Sequence, residues 1–336
     1  MANTLVLPRR RLLGLAALSP LAAATATAAP YTADGPARTR ALAAKGVLLD
    51  LALAGKRLVA VGERGHVLLS DDQGRSWRQA KAVPTRTTLT SVFVASERQL
   101  WTTGHGGMVL GSADAGDSWT VAAGKADGPD VLMAVRVGAD GHGLAVGGFG
   151  VALATADGGK TWKPHTLIDG EAGERHLNRI VVTPAGTWLV AAEGGHVLRG
   201  TGGTGGIAGM NWAAVKTPYA GSLWTGTALA GAAGTAGGVL MGGMRGNLVR
   251  STDDGKTWQH QPVAGAGSFT ACTLLADGRL LLVGVDGTVV LGDAAAAQFK
   301  LQQLDDRATL TGVAALPGGA LVAASMTGAR ALELPK

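Results

Sequence analysis

The chain has 336 residues, of which 53 are glycine and only 16% are charged, and its Val, Leu and Ala residues recur in short runs. This composition excludes a protein of long amphipathic helices and points to an all-β fold of many short strands joined by tight turns, which can run to this length as one domain. Of the 30 Lys and Arg behind the formal charge of +6, three precede residue 29, leaving 27 against 24 acidic residues with no basic run; that balance argues against a nucleic-acid partner.

In chain order, Arg9-Arg10-Arg11, an apolar run from Leu12 to Ala24 and the A-x-A sequence Ala26-Thr27-Ala28 predict a signal peptide over residues 1–28. The run is shorter than the ~20 residues a spanning helix needs, so no retained membrane span is expected. Arg9-Arg10-Arg11-Leu12-Leu13 fits the twin-arginine pattern, although Pro8 stands where Ser or Thr is usual, and Sec export is the alternative. Either route predicts an exported, periplasmic protein.

From residue 47 to 336 the chain is read as repeats. In the first, strands are expected at Leu48–Leu53, Leu58–Val61, His66–Ser70 and Trp77–Ala82, and further units begin near Leu89, Val131, Leu177, Leu223, Phe269 and Thr309. Each unit has a glycine-ended turn, at Gly65, Gly107, Gly150, Gly195, Gly246, Gly287 and Gly328. Repeats of this length with four strands each predict a seven-bladed β-propeller.

Four units carry the pattern S/T-x-D-x-G-x-S/T-W, with Asp72 and Trp77, Asp114 and Trp119, Asp157 and Trp162, and Asp253 and Trp258. The Asp can accept bonds from its own turn, the Gly can take positive φ and the Trp can plug the core, so these Asp-boxes are read as scaffold. The fourth and sixth units have degenerate boxes, the fourth replaced by a flexible Gly-rich insertion and the sixth by Asp293 to Gln298. Cys272 lies in a strand-like run and reads as a structural thiol, and the histidines do not cluster into a metal site. No cofactor is expected. The last unit stops after its third strand, so residues 29–46, through Arg38–Ala43, are expected to supply the closing strand.

These boxes, within repeats of A-V-G-x-x-G form after a cleavable signal, resemble the photosystem II stability and assembly factor family of seven-bladed BNR-repeat propellers, over roughly residues 40–336. The resemblance implies an assembly chaperone that binds a protein partner through an arginine-bearing face, in the thylakoid lumen if the source is photosynthetic. A relative elsewhere would keep the scaffold for another membrane-associated or periplasmic complex.

In a propeller the turns between second and third strands share a face with the blade-joining loops. That reasoning places Glu63-Arg64, His105-Gly106, Gly148-Phe149, Glu193-Gly194, Met244-Arg245, Val285-Asp286 and Met326-Thr327 around one mouth. Arg64, Phe149 and Arg245 are the leading partner-binding candidates, followed by Glu63, His105, Glu193 and Asp286. Arg64 and Arg245 are the positions to which the resemblance assigns a basic face. The protein is expected to be monomeric and non-enzymatic. The competing reading is a glycoside hydrolase, since sialidases share the boxes, but the only tyrosines are Tyr31 and Tyr219; a two-carboxylate mechanism would have to use Glu63, Glu193 or Asp286.

Overall fold

The first repeat shows how a blade forms. Its strands are Leu48–Ala54, Arg57–Gly62, Val67–Ser70 and Arg78–Gln79, paired antiparallel in that order. Leu58–Gly62 and Val67–Ser70 are buried throughout, as expected of strands covered on both faces by neighbouring sheets. The outer strand is shorter than the predicted Trp77–Ala82 because Trp77 is pulled inward, its indole donating to the Gly74 carbonyl at 3.1 Å.

In the computed structural model, which describes residues 34–125, 128, 130–202, 206–229 and 238–335, this unit recurs as seven sheets. Their first strands begin at Leu48, Leu89, Leu132, Leu177, Leu223, Phe269 and Leu310, each within one residue of expectation. The fold is a seven-bladed β-propeller. The predicted signal peptide lies outside the described residues, and no helix among them is long and apolar enough to cross a membrane.

The core is divided among the seams between blades. Val59 and Leu69 of blade 1 pack with Leu89, Leu110 and Trp119 of blade 2, and equivalent clusters follow around the ring. The last joins Leu316, Val322 and Ala324 of blade 7 to Leu48, Leu58 and Leu68 of blade 1. Each fully buried Leu contributes at most about 1.5–3 kcal/mol. A side-chain bond also crosses several seams from the second residue of a first strand. Thr90, Asn178 and Thr270 donate to the carbonyls of Leu132, Leu223 and Leu310 at 2.5, 2.8 and 2.6 Å, and Thr311 donates to Leu48 at 2.7 Å across the closing seam.

The expected closing strand is corrected. Blade 7 has three strands, Leu310–Ala315, Leu321–Ser325 and Gly328–Leu332, and residues 34–42 form none. The segment instead follows the outer edge of blade 1, where the Ala37 amide donates to the Val83 carbonyl at 2.9 Å and the Arg40 amide to Gln79 Oε1 at 2.5 Å. Arg38-Thr39-Arg40 has no apolar side to bury, and it is Ala43 and Ala44, in a short 3-10 turn, that reach the closing cluster.

Candidate functional site

The two faces use left-handed turns differently. On the box face, the Ser76 amide and hydroxyl donate to Asp72 at 2.9 and 2.6 Å, and the Ser70 hydroxyl donates to Asp72 while accepting from the Gly74 amide, both at 2.8 Å. The same bonds recur around Asp114, Asp157 and Asp253. The Ser76 and Thr161 hydroxyls and amides hold Asp72 and Asp157 down to about 2. Burial opposes the same bonds at Asp253 and is outweighed, leaving it also at about 2. The box turn wedges onto the preceding blade: Gly159 has φ +83°, and a Cβ there would overlap the Trp101 ring. These carboxylates are committed to the scaffold, and Asp293 of the degenerate sixth box still accepts the Ala297 amide at 2.7 Å.

On the opposite face, the turn Glu63–His66 is closed by the His66 amide donating to the Glu63 carbonyl at 2.9 Å, with Arg64 and Gly65 at φ 57° and 69°. Two consecutive left-handed residues make a type I′ turn. A Cβ at Gly65 would overlap the Thr85 carbonyl, so the second position requires glycine. The first position faces solvent and carries Arg64, Phe149, Arg245 and Asp286, all at φ between 53° and 57°. A non-glycine residue in this region carries a backbone cost of about 1 kcal/mol, and its side chain is directed out of the fold.

At blade 1 this turn completes a basic pocket of about 230 Å³, lined by Arg38, Arg40, Arg64, Arg86 and His66. The N-terminal segment brings Arg38 and Arg40 there. It is pinned by Asp34, whose carboxylate accepts the Arg86 amide at 3.0 Å and the Thr85 hydroxyl at 2.9 Å, and by the Arg86 side chain donating to the Pro36 carbonyl at 3.1 Å. Among the described residues, the only ion pair made by these four guanidiniums is Arg64 with Glu63 at 3.6 Å. His66 is 4% exposed, its Nδ1 has no hydrogen-bond partner, and burial pushes its pKa down, so it lines the pocket as a neutral imidazole. An anionic group would find both charge and directed donors here.

Residues 127–288 match the family model described as Photosynthesis system II assembly factor YCF48. The photosystem II assembly lipoprotein Ycf48 of Synechococcus sp. (strain CC9902) is 26% identical over 227 residues, covering 64% of this chain and 62% of the relative. A solved structure described as YCF48 bound to D1 peptide aligns over 91% of this chain and 98% of its own, with a TM-score of 0.67 at 14% identity. Over its middle blades the chain is similar to the YCF48-like propellers. A streptogramin B lyase also aligns, over 88% of this chain and 96% of its own, with a TM-score of 0.71 at 11% identity. At such identities the likeness to either structure is one of fold. The residues matched by the family model begin after blade 2, so the basic pocket lies outside them.

The remaining predicted site residues fall into separate groups. Phe149, 80% exposed, packs on His176 with ring centroids 4.5 Å apart, its amide donating to His176 Nδ1 at 3.2 Å; Glu193 accepts the His176 amide at 3.1 Å. Exposed Arg245 is held by its backbone amide to Ser268 Oγ at 3.1 Å and does not line the basic pocket. Asp286 is tied to Arg307 at 3.1 Å and Gln303 at 3.0 Å. His105 is exposed, as are Met326 and Thr327. Half-buried Cys272 accepts from the Thr225 hydroxyl at 3.4 Å, and burial pushes its thiol pKa up, the opposite of a nucleophile's requirement. Among the described residues no group of three or more His, Cys, Asp or Glu could hold a metal ion.

Sequence reasoning misses Arg38, Arg40 and Arg86 in the pocket, and Asp50, Arg136 and Arg179 on innermost strands. A signal exists for the second group: each is a charged residue within a mostly apolar first strand, where only the ring's axis can receive it.

Proposed function

We propose that this chain is an exported, non-enzymatic propeller that captures a carboxylate-bearing segment of a protein partner in the Arg38–Arg40–Arg64–Arg86 pocket and serves the assembly of a membrane-associated or periplasmic complex. The observation that carries the reading is the convergence of four exposed arginines on a neutral, unpartnered His66. Guanidinium groups meet carboxylates with paired hydrogen bonds, and His66 can supply or accept one more. The pocket's 230 Å³ suits an acidic side chain or a chain-terminal carboxylate rather than a large cofactor. A propeller of this fold described as bound to D1 peptide supports peptide capture as the mode. The hydrolase reading is less favoured because Glu63, Glu193 and Asp286 are already engaged on their own or the adjoining blade, by the Val47 amide, the His176 amide and Arg307 respectively.

The test is titration of fluorescent acidic peptides, with free and amidated C-termini, against the wild type and an Arg64→Glu/Arg86→Glu variant. The variant is expected to bind about 100-fold more weakly, ~2.7 kcal/mol, with a melting temperature lowered by no more than about 2–4 °C for the lost Arg86–Pro36 bond, while Arg245→Glu binds as the wild type does. Equal binding by the double variant would overturn the assignment. Preference for the free over the amidated peptide identifies the terminal carboxylate as the group held.

A further inference from the structure

Along the propeller axis, the first strands of blades 1, 3 and 4 carry a second concentration of charge. Asp50, 6% exposed, accepts the Leu51 amide at 2.9 Å and the Val92 amide at 3.0 Å, and faces Arg179 Nη1 at 3.6 Å across the ring. Its oxygens are therefore occupied, and it offsets one guanidinium. Arg136 is a second guanidinium at the same place. It is half-buried, lies 5.3 Å from the centre of the Phe93 ring, and has no hydrogen bond or ion pair from its side chain among the described residues. Burial, reinforced by Arg179, lowers the Arg136 pKa.

Arg136 and Arg179 line one cavity of about 60 Å³ between the innermost strands, together with Ser91 and Ala134. Both guanidiniums are half-buried, and a partly desolvated charge without a counter-charge carries a cost that an aromatic face offsets only in part. The cavity exceeds the ~30 Å³ that a water occupies in the liquid, and its uncompensated charge is positive.

We infer that this cavity is a binding site for one small monovalent anion, a halide or a single carboxylate, held between Arg136 and Arg179. The ion joins blades 3 and 4 electrostatically at the axis and completes the neutralisation that Asp50 begins. The site is separate from the basic pocket at blade 1 and does not depend on the partner-binding reading.

The test is thermal unfolding of the full chain at constant ionic strength, with chloride or formate replacing gluconate, which is too large to enter. A saturable rise of about 2–4 °C is expected with either ion, and its disappearance in Arg136→Gln. Response to chloride alone identifies a halide site, and response to formate alone a carboxylate site. No response to either ion overturns the inference, as does an undiminished response in Arg136→Gln. Chloride-35 line broadening on the wild type, reversed by bromide or formate, reads the same site if that variant does not fold; absence of broadening together with absence of a formate-induced melting shift counts against it.

Discussion

The box turns and the mouth turns are both built on paired left-handed residues, yet they spend their side chains in opposite ways. In a box, the Asp, the hydroxyls and the Trp fold back onto their own turn and the neighbouring blade, so the same residues are required wherever the turn recurs. At the mouth turns of blades 1 to 6, only the second glycine is demanded by the fold, and the residue before it varies among Arg, Phe, Asp and Gly. Repetition marks what holds the ring together, and variation marks where it can meet something else.

The largest effect that would sharpen this contrast is expected from Trp119→Ala. Trp119 is 3% exposed at the seam of blades 1 and 2 and donates to the Gly116 carbonyl at 2.9 Å. Its truncation should cost about 3–5 kcal/mol in denaturant unfolding while peptide affinity of the folded fraction stays unchanged. The pocket variant Arg64→Glu/Arg86→Glu should behave in the reverse manner. If either variant altered both properties equally, the separation of scaffold from site would fail.

A second effect is acid sensitivity. Asp72, Asp157 and Asp253 have folded pKa values near 2 against an ordinary 3.8, so their contribution is present above about pH 4 and is lost as pH falls through about 2. Replacing all three with Asn should flatten the loss of stability across that window, measured as melting temperature against pH. An acid limb as steep as the wild type's would mean that other groups govern it. The smallest effect concerns the mouth. Arg245→Gly should raise stability by about 0.5–1 kcal/mol by relieving the φ of 53°, whereas a loss would show that the Arg245 side chain contributes to the fold.

The blades are legible in the sequence because a strand buried on both faces leaves a continuous apolar run, and the turns between such runs require glycine at fixed places. Hence Leu89, Leu177, Leu223 and Phe269 begin their strands where the repeat predicts. The course of residues 34–42 is not legible in this way. Arg38-Thr39-Arg40 suits any extended path, and its position is decided by distant acceptors such as Gln79 and Val83. The basic pocket is half-readable for the same reason: Arg64 belongs to a repeat and is found by alignment, whereas Arg38, Arg40 and Arg86 reach it through Asp34 and Pro36. The axial trio lies further from reach, since Asp50 and Arg179 meet only when the ring is closed.

The apolar clusters each span only two neighbouring blades, and the closing seam uses the same kind of side-chain bond as the others. Mechanically the ring is a chain of like joints, with no keystone. A change at one turn is absorbed by the two seams beside it and is not passed around the circumference. One sector can therefore acquire a new client while the other sectors keep their shape, which is how so repetitive an architecture can hold a single distinctive surface.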